Sequence, residues 1–200
     1  TAATFDGVRM KHASHGPIGV ILAGGASTRM GADKALVEVD GKPMVAWVAA
    51  ALGRVCDDLL IVGRAGKLGG IEAILDDHPG PLGPAAGVAT ALRVASGRPV
   101  LAVAVDQPFL RTETLVRLAS ARQTMVPHDD VLQITCAFYA PEVEDALSRA
   151  VRDGIPLWKA IEDRSLIVPE EEWRSWGEDG RSWFSVDTPE ALATGLERFR

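Results

Sequence analysis

The sequence predicts an α/β fold with three layers, helices covering both faces of a mainly parallel sheet. Apolar runs of strand length alternate with segments of helical spacing along the whole chain. One run, Val100 to Val105, is six small or branched apolar residues in succession, as expected for a central strand covered on both faces. The 20 glycines and 12 prolines are scattered, and no composition shift marks a linker. Two hundred residues, 47% of them hydrophobic, suffice for one sizeable core. Residues 1–16 read as a flexible tail and 17–200 as one domain.

Ile18 to Leu22 is the first predicted strand. Pro43 suits a first helical turn and opens a helix to Leu52, and Leu59 to Val62 is the second strand. Pro84 to Val94 places Val88, Ala91, Leu92 and Ala95 on one face of a helix packed on the sheet. The strand Val100 to Val105 delivers Asp106 to its C-terminal end. Thr112 is the expected N-cap of a helix through Leu115 and Leu118. Gln133 to Tyr139 reads as a further strand, and Pro141 begins the next helix. An irregular stretch, Pro169 to Arg181, precedes a predicted strand at Trp183 to Val186. Thr188 before Pro189 caps a closing helix.

Composition bounds function. A formal net charge of -6 argues against broad nucleic-acid binding, which relies on Lys and Arg. No apolar run is long enough to span a membrane, and the first fifteen residues lack the apolar core of a secretory signal, so a cytoplasmic protein is expected. Cys56 and Cys136 stand in apolar surroundings and read as buried reduced thiols. His12 and His15, without an acidic or thiol partner nearby, read as tail residues rather than a metal site. Trp158, Trp173, Trp176 and Trp183 are expected in core packing, with stacking on a ligand as the alternative. Glu170 to Glu172 reads as a solvated face.

The chemistry is concentrated in LAGGASTRMGADK, Leu22 to Lys34, directly after the first strand. Gly24, Gly25 and Gly31 permit positive φ and close backbone approach, so successive N–H groups can face phosphate oxygens. Arg29 can fork across two oxygens, and Lys34 supplies a mobile point charge. The segment fits neither GxGxxG nor GxxxxGK[ST], because Gly31 is followed by Ala32. Ligands of parallel α/β sheets bind beyond the carboxyl ends of the strands, so this loop and Asp106 can converge. Asp106 there is a candidate Mg²⁺ ligand, since Mg²⁺ is held by one or two carboxylates together with substrate phosphates. Asp187 is balanced between a second metal ligand and a helix-capping role.

The loop resembles the LAGGxSxRMGxDK pattern of the molybdenum cofactor guanylyltransferases, within the Rossmann-like, GT-A-like nucleotidyltransferases. Gly41 to Met44 (GKPM), Pro79 to Gly87 (PGPLGPAAG), Val105 to Leu110 (VDQPFL) and Val186 to Leu192 (VDTPEAL) resemble further family blocks in the family order. The resemblance implies that Leu22, Ala23, Gly24, Gly25 and Lys34 contact the nucleotide, that Asp76 does too, and that Asp106 binds Mg²⁺. It implies GTP as donor, a molybdopterin-type phosphate as acceptor, and insertion chaperones or molybdoenzymes as partners. The chain departs from the family where Asn commonly follows the second strand, offering Val62, Gly63 and Arg64, and where a paired-Arg segment is replaced by Arg152 to Asp163 with Lys159. A cytidylyltransferase or sugar-phosphate nucleotidyltransferase, and a nonenzymatic cofactor-delivery protein, are the competing readings.

Overall fold

The computed structural model describes residues 4–5, 8–9, 16–24, 33–75 and 83–199. Among them, residues 4–5 and 8–9 pair as a short antiparallel ladder, and nine strands form one sheet. The first four are β1 (Ile18–Leu22), β2 (Leu59–Val62), β3 (Gly66–Leu68) and β4 (Ile71–Ile74). After them come β5 (Val100–Ala104), β6 (Thr124–Asp129), β7 (Val131–Leu132), β8 (Cys136–Tyr139) and β9 (Ser165–Val168). The path across the sheet is β7-β6-β8-β5-β1-β2-β4-β3, with β9 added parallel along β6.

The pairings β5-β1, β1-β2 and β2-β4 are parallel. β8 runs antiparallel to both β5 and β6, which returns β6 and β9 to the common direction. Only the hairpin strands β3, β7 and β8 oppose it. The mainly parallel sheet is therefore as the sequence predicts.

Alternate residues of the central strands enter opposite cores, because successive strand side chains point to opposite faces. Val20 and Leu22 of β1, Leu60 and Val62 of β2, and Val100 and Ala102 of β5 meet one core. That core is completed by α2 (Pro84–Ala95), α4 (Glu144–Asp153) and α5 (Leu157–Ile161). Ile21, Ile61, Leu101 and Val103 meet the other, with α1 (Met44–Leu52), α3 (Thr112–Ala119) and α6 (Glu170–Ser175). α2 is buried well beyond its predicted face, since α4 packs against it. α7 (Pro189–Phe199) joins a smaller cluster in which Val186, Phe109 and Phe184 meet Leu192 and Leu196.

Several boundaries differ from expectation. Thr112 is the first helical residue of α3 rather than its cap; Arg111 occupies the cap position without a side-chain hydrogen bond. The strand predicted from Gln133 begins at Cys136, because residues 133–135 form the bend that turns the chain from β7 into β8. Pro141 opens a 3-10 turn, and α4 begins at Glu144. Trp183 to Val186 is not a strand. Arg181–Trp183 is a 3-10 turn, and Trp183 enters one cluster while Phe184 and Val186 enter another. Trp183 packs edge-on to Trp173, while Phe184 meets Phe109 and Phe199.

Trp173 and Trp183 are buried and Trp176 is half-buried, as predicted, whereas Trp158 is 39% exposed. Cys56 and Cys136 are buried free thiols. Residues Glu170 to Glu172 face solvent. His12 and His15 lie outside the described residues.

Thr188 caps α7 as predicted, its Oγ1 accepting from Ala191 N at 3.2 Å. Thr188→Ala is expected to lower the unfolding free energy by about 1 kcal/mol. Urea unfolding would show this as a lower midpoint at unchanged slope. An unchanged midpoint would mean that the side-chain cap contributes nothing.

Candidate active site

β1, β2 and β5 end together at one edge of the sheet. Leu22 O accepts from Val105 N at 3.0 Å and Ala23 N donates to Val62 O at 2.8 Å, so the pairing extends past the strand ends. Leu22 is buried, Ala23 half-buried and Gly24 exposed, which places the start of the Gly-rich segment at the solvent edge. Gly63, at φ +104°, lies against it. A Cβ at Gly63 would stand 2.3 Å from Gly24 N and 2.4 Å from Gly24 Cα. Backbone approaches backbone here in a way only glycine permits. An Asn side chain at Gly63 would not fit this approach.

The segment re-enters at Asp33, whose carboxylate accepts from Ala35 N at 3.1 Å and caps the 3-10 turn Lys34–Leu36. From that turn Lys34 Nζ donates to Asp106 Oδ2 at 3.1 Å and to Asp187 Oδ1. Asp106 lies two residues beyond β5. Asp187 reaches it because Val186 N donates to Asp106 O at 2.8 Å, tying the approach to α7 onto the end of the central strand. Thr188 does the capping, which leaves the Asp187 carboxylate to Lys34.

Burial by itself would lower the Lys34 ammonium. The hydrogen bond to Asp187 and the charge of Asp106 outweigh it and hold the group above its ordinary value. Asp106 is displaced upward, because burial penalises its charged form more than Lys34 relieves it and the Asp187 charge adds to the penalty. Lys34 thus stays charged across the neutral range. Its contribution to stability is fully present below the unfolded ammonium value and is withdrawn only as pH rises through the raised folded one.

Of the residues marked by the sequence, Leu22, Ala23, Gly24, Lys34, Asp106 and Asp187 gather at this edge. Gly25, Arg29 and Asp76 lie outside the described residues. Asp33, Gly63 and Arg64 also belong to the site's frame, Arg64 Nη1 pairing with Asp33 Oδ2 at 2.8 Å. Asp33 carried a signal, an N-cap residue type immediately before Lys34. Arg64 carried none, since its partner is distant in sequence.

Two carboxylates aimed at one cation can hold a divalent ion in its place. Among the described residues no group of three potential metal ligands occurs. Such a pair suits Mg²⁺, which keeps water and substrate phosphates in its remaining positions.

The model of the MobA-like NTP transferase domain matches residues 19–166. The chain belongs to that family. It is a nucleotidyltransferase, and the MobA-like domain runs from β1 into β9. A probable molybdenum cofactor guanylyltransferase of Natronomonas pharaonis is 33% identical, over 90% of this chain and 96% of the relative. One of Pelotomaculum thermopropionicum is 33% identical over 87% and 89%. The crystal structure of molybdopterin-guanine dinucleotide biosynthesis protein A from Archaeoglobus fulgidus superposes with a TM-score of 0.77 at 29% identity. That superposition covers 90% of this chain and 97% of the other. The expected nucleotidyltransferase fold is the observed one, and the resemblance to the molybdenum cofactor guanylyltransferases holds over nearly the whole chain.

Proposed function

We propose that the protein transfers GMP from GTP to the terminal phosphate of molybdenum-loaded molybdopterin, forming the guanine dinucleotide and releasing pyrophosphate. The observation that carries this reading is the convergence of Lys34, Asp106 and Asp187 beside the start of the Gly-rich segment, in a chain of this family. An acceptor phosphate oxygen attacks the α-phosphorus in line; a new P–O bond forms, and the bond to the β-phosphate oxygen breaks. The attacking oxygen is already ionised, so no protein base is needed, and the protein acts by positioning and electrostatics.

In this scheme the backbone at Ala23 and Gly24 receives the nucleotide, with Leu22 and Gly25 flanking it and Asp76 contributing from beyond β4. Lys34 turns from the carboxylates to the phosphates, and Arg29 adds a second positive group. Asp106, with Asp187, would hold Mg²⁺, which when bound neutralises charge on the phosphate oxygens. Residues 17–200 are taken as the catalytic domain. The two free buried thiols support a reducing, cytoplasmic setting. No helix among the described residues is long and apolar enough to cross a membrane. Delivery of the product to insertion chaperones or molybdoenzymes completes the proposal on the strength of the family alone.

The test is pyrophosphate release with each nucleoside triphosphate and Mg²⁺, with and without the metal-loaded pterin. Release that requires both GTP and the pterin is expected. A preference for CTP or a sugar phosphate acceptor would redirect the assignment, and nucleotide binding without turnover would favour a delivery protein.

A further inference from the structure

The dipeptide Gly63–Arg64, just past β2, holds both described ends of the Gly-rich segment. At one end, Gly63 packs on the Gly24 backbone at a separation that excludes any side chain. At the other, the Arg64 guanidinium pairs with the Asp33 carboxylate at 2.8 Å. The dipeptide is itself fixed, since Gly63 N and Arg64 N both donate to Ile74 O, at 2.9 and 3.2 Å. Asp33 then caps the turn that carries Lys34. The order of connection runs from β4 through Arg64 and Asp33 to Lys34.

Asp33 is an awkward residue for a phosphate site. Its carboxylate is 40% exposed and stands next in sequence to the lysine that reaches into the site. Left unpaired, it would repel a triphosphate and compete for the Lys34 ammonium. Asp106 and Asp187 differ from it in that both already face a cation, the Lys34 ammonium.

We infer that Arg64 is a positioning residue for the nucleotide: it neutralises Asp33 and anchors the Lys34 turn, so that Asp33 adds no uncompensated negative charge where the triphosphate meets Lys34. The inference rests on the reading of this edge as the nucleotide site. Arg64 acts through Asp33, and the consequence is specific. Removing the Arg64 charge harms nucleotide binding only while Asp33 keeps its own.

The experiment is a double-mutant cycle on the full chain with Arg64→Ala, Asp33→Asn and the double variant. GTP affinity is measured by calorimetry with Mg²⁺ at low and high salt, alongside KM and kcat for pyrophosphate release. Asparagine still caps the turn, so Asp33→Asn removes charge and spares local structure. Arg64→Ala is expected to weaken GTP binding and raise KM by about tenfold, with kcat changed by less than about threefold. High salt should shrink the defect by screening the exposed carboxylate. Adding Asp33→Asn should restore affinity to within about threefold of Asp33→Asn alone. A double variant as weak as Arg64→Ala, or an Arg64→Ala protein that binds GTP normally, overturns the inference. Wild-type protein that binds no GTP overturns the functional reading, and the inference with it.

Discussion

Asp106→Ala is expected to reduce kcat for pyrophosphate release by about a hundred- to a thousandfold, equivalent to about 2.7–4 kcal/mol of lost transition-state stabilisation. The carboxylate is the more buried of the two that face Lys34, with its side chain 19% exposed against 45% for Asp187. It also follows the central strand directly, which fixes it more firmly than the approach to α7 can fix Asp187. The substitution leaves the backbone alone, so the bond from Val186 N to Asp106 O survives. Activity should therefore fall without loss of fold.

Stability should move in the opposite sense. A carboxyl raised above its unfolded value binds its proton more tightly when folded, so ionised Asp106 opposes folding above both values and ceases to do so as pH falls through the folded one. Asp106→Ala removes that pH dependence. Thermal unfolding at neutral pH should show a midpoint equal to or above the wild type. A clearly lower midpoint would identify Asp106 as a structural residue, and near-normal turnover would remove it from the reaction.

Glu178→Ala should cost about 3 kcal/mol or more in urea unfolding. The Glu178 carboxylate is 3% exposed. It accepts from the hydroxyls of Thr114 and Ser182 and from the backbone N–H groups of Asp179, Gly180 and Ser182. Deleting it strands several buried donors at once, which is far more expensive than losing a solvated contact. Ser182 Oγ also receives Arg111 N at 3.0 Å, so the network fastens the segment before Asp187 to the start of α3. Glu178→Gln should recover only part of the loss, because its amide turns a donor toward groups that also donate. A loss below about 1 kcal/mol for Glu178→Ala would show that water replaces the carboxylate at little cost.

Glu178 illustrates what could not be read from the sequence. In the string Gly-Glu-Asp-Gly-Arg-Ser it looks like a solvated loop residue, and its partner Thr114 lies far away in sequence, in α3. Arg64 was hidden for the same reason, its role depending on Asp33 across the fold. Trp183 to Val186 was misread because its apolar residues serve two different clusters rather than one face of a strand.

What was legible was local or rested on periodicity. β1, β2, β5 and α2 announce themselves by continuous or helically spaced apolar residues, and Thr188 by its place before Pro189. That the loop ending in Lys34 converges on Asp106 could be expected from sequence, because a parallel sheet brings the ends of its strands to one edge. The position of Asp187 could not, since it depends on a single backbone bond from Val186.

The placing of β1 between β2 and β5 has a consequence for how the molecule comes into being. Val20 can meet Leu60 early in synthesis, but its other neighbour, Ala102, lies in the second half of the chain. Until that half emerges, a strand that ends up buried along its whole length keeps an open edge, and closing so long a loop is slow. A fragment ending before Val100 should therefore aggregate instead of folding as a smaller unit. The strand that closes this gap also brings Asp106 opposite Lys34, so the nascent chain acquires the first carboxylate of its site only in the step that pairs both edges of β1.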